Sequence, residues 1–183
     1  LLLAIYTLLP PRRQLDYYKV LLVTSDPQAD QIKSDPTLSG YIDLRPSTST
    51  PPKPPHIYIT QYKTSNVYSL WKKELPPELL NLIQATLKVR PRNYLFTMPT
   101  SPQQPFATPK LFARQNNRLL KSIFQNPKMC VNTLRHSAST YVYYNTEMEP
   151  REKQEFARDM AHSLKMSQKY VLLKKYMDKG TLG

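Results

Sequence analysis

Glycine is almost missing from this chain, with three in 183 residues against eighteen prolines. No Gly-rich phosphate loop is present, and neither the P-loop nor the dinucleotide-binding fingerprint occurs. ATP-driven and nicotinamide chemistry are therefore poor fits, and no cofactor is expected. Cysteine is scarcer still. A single residue, Cys130, excludes an internal disulfide framework and a Cys-rich zinc site, so no metal is expected and the compartment reads as reducing. Cys130 lies in an apolar stretch, where its default role is core packing. Long apolar runs are also lacking. The run Leu1 to Leu9 is too short to cross a bilayer and has no basic start like that of a signal peptide, so neither a membrane nor secretion is expected. Acidic residues are few: 13 Asp and Glu face 26 Lys and Arg, which leaves a net charge of +13. A surplus of that size points to a polyanionic partner, the bland alternative being a generally basic soluble protein.

The pattern along the chain predicts an α+β fold, mainly helical with a small antiparallel sheet or β-hairpin. Residues 1–9 read as a helix end stopped by Pro10-Pro11. Lys19 to Ser25 and His56 to Tyr62 read as strands. Lys63 to Asn66 reads as a turn, and Val67 to Leu70 as the returning strand. Residues 26–55 are rich in Pro, Ser and Thr and are expected to form an insertion or loop, with a short strand at Tyr41 to Leu44. A helix is expected from Pro76-Pro77 to before Pro91, and a short strand or bridge at Asn93 to Phe96. Another helix runs from an N-cap at Thr108 to Phe124, with Leu111, Phe112, Leu119, Leu120 and Ile123 inward. Asn132 to Tyr144 predicts a helix with Leu134, Ala138, Tyr141 and Val142 inward. Further helices are expected over Pro150 to Ser163 and Ser167 to Met177.

Four stretches carry candidate chemistry. Pro10-Pro11-Arg12-Arg13-Gln14-Leu15-Asp16 puts an arginine three residues before an acid just after a helix. Gln61 to Asn66 puts Lys63 at a turn between strands, with Lys72 and Lys73 as rivals. Asn132-Thr133-Leu134-Arg135-His136-Ser137 puts an arginine and a histidine on a helix. Met160-Ala161-His162-Ser163 is followed by Tyr170, eight residues after His162. Taken singly each is weak, since a lysine in a turn or a tyrosine in a helix is usually solvated or packed. In that order they resemble the catalytic domain of tyrosine recombinases, the integrase-type enzymes of phages, viruses and mobile elements. The Pro-Pro-Arg-Arg form looks like the variant of large DNA viruses and eukaryotic mobile elements.

The resemblance implies a recombinase or topoisomerase IB-like fold over 1–183. The N-terminal core-binding domain of relatives would lie outside this sequence. It implies site-specific cutting and rejoining of double-stranded DNA by a homo-oligomer, dimer to tetramer, located wherever the target DNA is, in a nucleus or a viral replication site. Arg13 and Arg135 would grip the scissile phosphate, Lys63 would protonate the leaving 5′ oxygen, and His162 would hydrogen-bond a non-bridging oxygen. Tyr170 would attack, leaving a 3′-phosphotyrosyl link. Arg12 and His136 are implied as DNA contacts. Arg114, Arg118, Lys121, Lys165 and Lys169 are candidates for nonspecific backbone contacts. Two positions depart from the family. Asn132 stands where most members have His and cannot shuttle a proton near neutrality. Ala161 stands where glycine is commoner. Two alternatives stay open: a type IB topoisomerase-like relaxing enzyme, and a DNA-binding derivative of a recombinase that has lost catalysis.

Overall fold

The structure, a computed structural model, describes residues 1–62, 70–145 and 147–161. Among these residues it is α+β, with six α-helices, a 3-10 turn and one four-stranded sheet. The chain divides into two compact units. Unit 1 comprises Leu1 and Gln14–Gln115, and unit 2 comprises Leu2–Arg13 and the described residues from Asn116 onward.

Unit 1 is built on the sheet. Strands β1 (Val20–Val23), β2 (Gly40–Asp43), β3 (His56–Ile59) and β4 (Trp71–Glu74) are hydrogen-bonded in that order. All four residues of β1 are buried. Its second edge is covered as well, since Leu22 N donates to Asn93 O and Leu95 N to Val20 O, both at 2.8 Å, with Leu21 and Tyr94 bridged. Burial on both faces suits an unbroken apolar strand, which is what Val-Leu-Leu-Val supplies. The other strands alternate: Ile42, Ile57 and Ile59 are wholly buried, while Tyr41 and Tyr58 point to the opposite face.

The sheet is mixed where an antiparallel one was expected: β1 and β2 run parallel, whereas β2–β3 and β3–β4 are antiparallel. The reason lies in the segment expected to be a loop. Residues Asp26–Ser34 form helix α2, entered through a proline in its first turn. A helical crossover lets two consecutive strands run the same way, which a tight turn cannot do. α2 is polar overall, but Ala29 and Ile32 pack on the cluster of Leu21, Val23, Leu38 and Tyr94. Of the Pro/Ser/Thr-rich stretch, residues 46–55 lie outside helices and strands. Of the returning strand expected at Val67–Leu70, only Leu70 lies among the described residues. Leu70 lies outside any strand, and the partner of β3 is Trp71–Glu74, with buried Trp71 opposite Ile59. Positions 63–69, including the Lys63 turn, lie outside the described residues.

Helix α3 (Pro77–Val89) opens at the expected proline pair and buries Leu79 and Ile83. Helix α4 (Pro109–Phe124) begins beneath Thr108, whose Oγ1 accepts from Leu111 N at 3.1 Å. The division between the units falls within α4. Phe112 and Leu120 are wholly buried, but Leu119 and Ile123 are about half exposed, contrary to the predicted face. Buried Asn116 shows why: the inward stripe runs through 112, 116 and 120, so 119 and 123 are turned off it. Unit 2 adds α1 (Leu2–Leu8), α5 (Val131–Tyr144) and α6 (Pro150–Asp159). α5 packs against α1 and α6. Its buried face is Val131, Arg135, Ser139 and Val142, so Tyr141, expected inward, is 68 % exposed. α6 opens with a reciprocal capping box between Glu149 and Glu152. The helix expected over Ser167 to Met177 lies outside the described residues, and among the described residues no helix is long and apolar enough to cross a membrane.

Candidate functional site

An arginine in the middle of a buried helical stripe needs acceptors, because a desolvated cation is costly unless hydrogen-bonded. Arg135 occupies that place on α5 and is 2 % exposed. Its Nη2 donates to the carbonyl of Met160 at 3.3 Å. One turn further along α5, the Ser139 hydroxyl lies 3.8 Å from Met160 Sδ and donates to it. Arg12, just past the proline pair that ends α1, is as deeply buried at 1 % exposure. Its Nη1 donates to the carbonyl of Asp159 at 2.8 Å. Two arginines far apart in sequence therefore close on consecutive carbonyls at the end of α6.

That end is where a helix leaves carbonyls without intrahelical donors and carries partial negative charge. The bland role of the two guanidiniums is to cap it. Both guanidiniums thus lie on the one turn of chain that also carries the Asp159 carboxylate. Each guanidinium is also a planar fork that can serve more than one acceptor.

The turn itself is unusual. Ala161 has φ 57°, in the left-handed region that favours glycine, and its N–H donates to Arg158 O at 2.8 Å. A side chain in that conformation costs about 1–2 kcal/mol. This is the position where the resembled family commonly has glycine. The next residue, His162, lies outside the described residues.

Arg13, read as the first catalytic arginine, is half-buried. Its Nη1 is buried and has no hydrogen-bond partner among the described residues. Such a donor costs about 1–3 kcal/mol, which a bound oxyanion would recover. Asn132 is exposed in the first turn of α5, and its Nδ2 lies 3.3 Å from Nε2 of half-buried His136, one turn on. Arg114, Arg118 and Lys121 are exposed on α4 at the spacing of one helical face. The rival lysines Lys72 and Lys73 lie on β4 in unit 1. Lys63, Lys165, Lys169, His162 and Tyr170 lie outside the described residues, so of the expected site residues the structure brings together Arg12 and Arg135 at the end of α6.

Cys130 is the N-cap of α5 and is half-buried, where sequence reading expects a packed core thiol. Burial pushes its thiol up, but hydrogen bonds with the Thr133 hydroxyl and the N–H groups of Thr133 and Asn132 outweigh it, and the pKa falls below the ordinary cysteine value. Sequence reading missed Ser139 and the carbonyls of Asp159 and Met160. The only signal for Ser139 was its place one turn after Arg135. Among the described residues no group of three or more His, Cys, Asp or Glu side chains could hold a metal ion.

No family model, curated protein or solved structure matches the chain.

Proposed function

We propose that the protein is a DNA strand transferase of the tyrosine recombinase type, cutting and rejoining double-stranded DNA through a 3′-phosphotyrosyl intermediate. The observation that carries this reading is the convergence of buried Arg12 and Arg135 on adjacent carbonyls at the end of α6, in the chain stretch that leads to His162. A net charge of +13 suits a polyanionic substrate. In this reading Arg135 and Arg13 grip the scissile phosphate by charge-assisted hydrogen bonds and stabilise the added charge of the pentavalent transition state. Arg13 is suited to this by a buried donor that has no partner among the described residues. Arg12 is a positioning residue that holds the last turn of α6 through Asp159 O. Lys63 protonates the leaving 5′ oxygen, His162 donates to a non-bridging oxygen, and Tyr170 is the nucleophile. The bond energy stays in the phosphotyrosyl link, so rejoining needs no nucleotide. The recombinase-like fold, assembly as a homo-oligomer on DNA, and a location at the target DNA belong to the same proposal.

A second reading, a topoisomerase IB-like relaxing enzyme, is favoured by Asn132, which cannot act as the base that a histidine there supplies. The test for both is a nicked suicide duplex in cognate-candidate and scrambled sequences. A denaturant-resistant protein–DNA adduct is expected with the parent and none with Tyr170→Phe. Absence of adduct from the parent, with salt-sensitive DNA binding retained, refutes both readings and leaves a non-catalytic DNA binder. Relaxation of supercoiled plasmid without sequence preference decides for the topoisomerase-like reading.

A further inference from the structure

The side of the sheet that carries Tyr41 and Tyr58 faces a cleft in unit 1 that the chemistry above does not use. The cleft has a volume of about 1020 Å³. Its floor comes from strand register: Tyr58 and Lys72, which line it, are cross-strand partners, and Tyr41 pairs with Tyr58 as the next member of the same row. The tyrosine rings stack with centroids 4.5 Å apart and planes 13° from parallel. The Lys72 ammonium sits over the Tyr58 ring, 5.5 Å from its centroid.

The walls are built by specific bonds. Arg45 bonds Asp43 through two nitrogens, at 3.0 and 2.6 Å, and Asp26 at 2.8 Å. This ties the end of β2 to the start of α2 and satisfies both acids. The Pro-rich segment forms the other wall: Lys53 N donates to Ser47 Oγ at 3.1 Å, and His56 Nδ1 lies 2.8 Å from Pro54 O. Arg45 offsets one of the two acids it binds, and with Lys53 and Lys72, which are exposed and form no ion pair among the described residues, the charged side chains lining the cleft sum to +1.

A flat aromatic floor flanked by two cations matches one ligand chemistry well. We propose that this cleft binds single-stranded nucleic acid. An unpaired base takes the outer face of Tyr58, continuing the Tyr41–Tyr58 stack, while Lys72 swings from the ring to a neighbouring phosphate and Lys53 holds the next. A duplex cannot do this, because its base faces are already covered by their neighbours. An acidic peptide could use the lysines but offers no planar face to the ring. The inference does not depend on the chemistry of Tyr170.

The experiment is fluorescence anisotropy of the full chain with a labelled oligothymidylate of about twelve nucleotides, within the usual footprint of such sites, and with a duplex of equal length. Tyr58→Leu, which keeps apolar bulk and removes the ring, should weaken oligothymidylate binding about fivefold to a hundredfold, the loss for one stacked base, and should change duplex binding less than twofold. Lys53→Gln should lower the slope of log affinity against log salt by about 0.7, one phosphate contact. Oligothymidylate affinity of Tyr58→Leu within twofold of the parent overturns the proposal, as does a polyglutamate peptide that competes equally well. If Tyr58→Leu fails to fold, the exposed Lys53→Gln variant decides, and an unchanged salt slope overturns it. Adduct formation on the nicked duplex by Tyr58→Leu, and oligothymidylate binding by Tyr170→Phe, separate the failure of this inference from failure of the recombinase reading.

Discussion

Replacing Gly40 by alanine sets two physical effects of opposite sign against each other. Backbone entropy alone says that the alanine should help, since glycine inside a strand costs roughly 0.5–1 kcal/mol relative to alanine. Packing says the reverse. A methyl group on Gly40 would overlap the carbonyl oxygen of Tyr58 and lie 3.0 Å from the Tyr58 carbonyl carbon and from Ile59 Cα. The obstruction is backbone, which cannot rotate away, so β2 and β3 must part at the Gly40–Ile59 pair. Overpacking of this kind costs about 1–3 kcal/mol, and each ladder hydrogen bond lost adds about 1 kcal/mol. With one ladder bond lost and the entropy gain subtracted, the net expectation is destabilisation of about 1–3.5 kcal/mol, a large share of a typical domain's stability. Urea unfolding followed by tryptophan fluorescence reads it directly. Trp71 is the single tryptophan of the chain, lies on β4 opposite Ile59 and is 7 % exposed, so its emission reports on this sheet. A Gly40→Ala variant as stable as the parent, or more stable, would refute the steric reasoning and with it the close β2–β3 approach.

Two further outcomes are expected. Arg135→Lys keeps the charge but loses the planar fork, so adduct formation on the nicked duplex should fall about tenfold to a hundredfold, the worth of one charge-assisted hydrogen bond; single-turnover rates within twofold of the parent would contradict the clamp. Hydrogen bonds from the Arg45 side chain hold the Asp43 carboxyl below its ordinary pKa, against the opposing effect of burial. Its contribution to stability is therefore present above about pH 4, the ordinary carboxylate value, and is lost as pH falls through the lower folded value. Parent protein should lose stability between about pH 5 and pH 3 more steeply than Asp43→Asn when Trp71 unfolding is followed in urea across that range, and parallel curves would refute the assignment.

Local rules sufficed to place α3 and α4. A proline pair opens α3, Thr108 caps α4 by the hydrogen bond its side chain predicts, and the apolar period of each is set by neighbours three and four residues away. Capping and periodicity depend on residues within one or two turns, so they are legible without the rest of the chain. The buried run of β1 was legible for the same reason: four apolar residues in a row need cover on both faces.

Other features depended on distant partners. α2 has little apolar signal of its own and is held by Ala29 and Ile32 against residues of β1 and beyond, so its sequence read as loop. The parallel pairing of β1 and β2 followed from that helix and could not be read separately. Within α4 and α5, propensity placed the helices, but only packing decided that Asn116 and Arg135 face inward while Ile123 and Tyr141 do not.

The candidate site divides along the same line. Sequence determined which residue types are available: the arginine pair after the proline break, the Leu-Arg-His segment, and the net charge of +13. Tertiary structure alone decided that Arg12 and Arg135 meet the same turn at the end of α6, that Arg13 has a buried donor with no partner among the described residues, and that Ala161 takes a left-handed conformation. The physical reason is that hydrogen-bond geometry and burial are properties of groups brought together from distant parts of the chain, whereas charge, capping and periodicity are already present in the local order of residues.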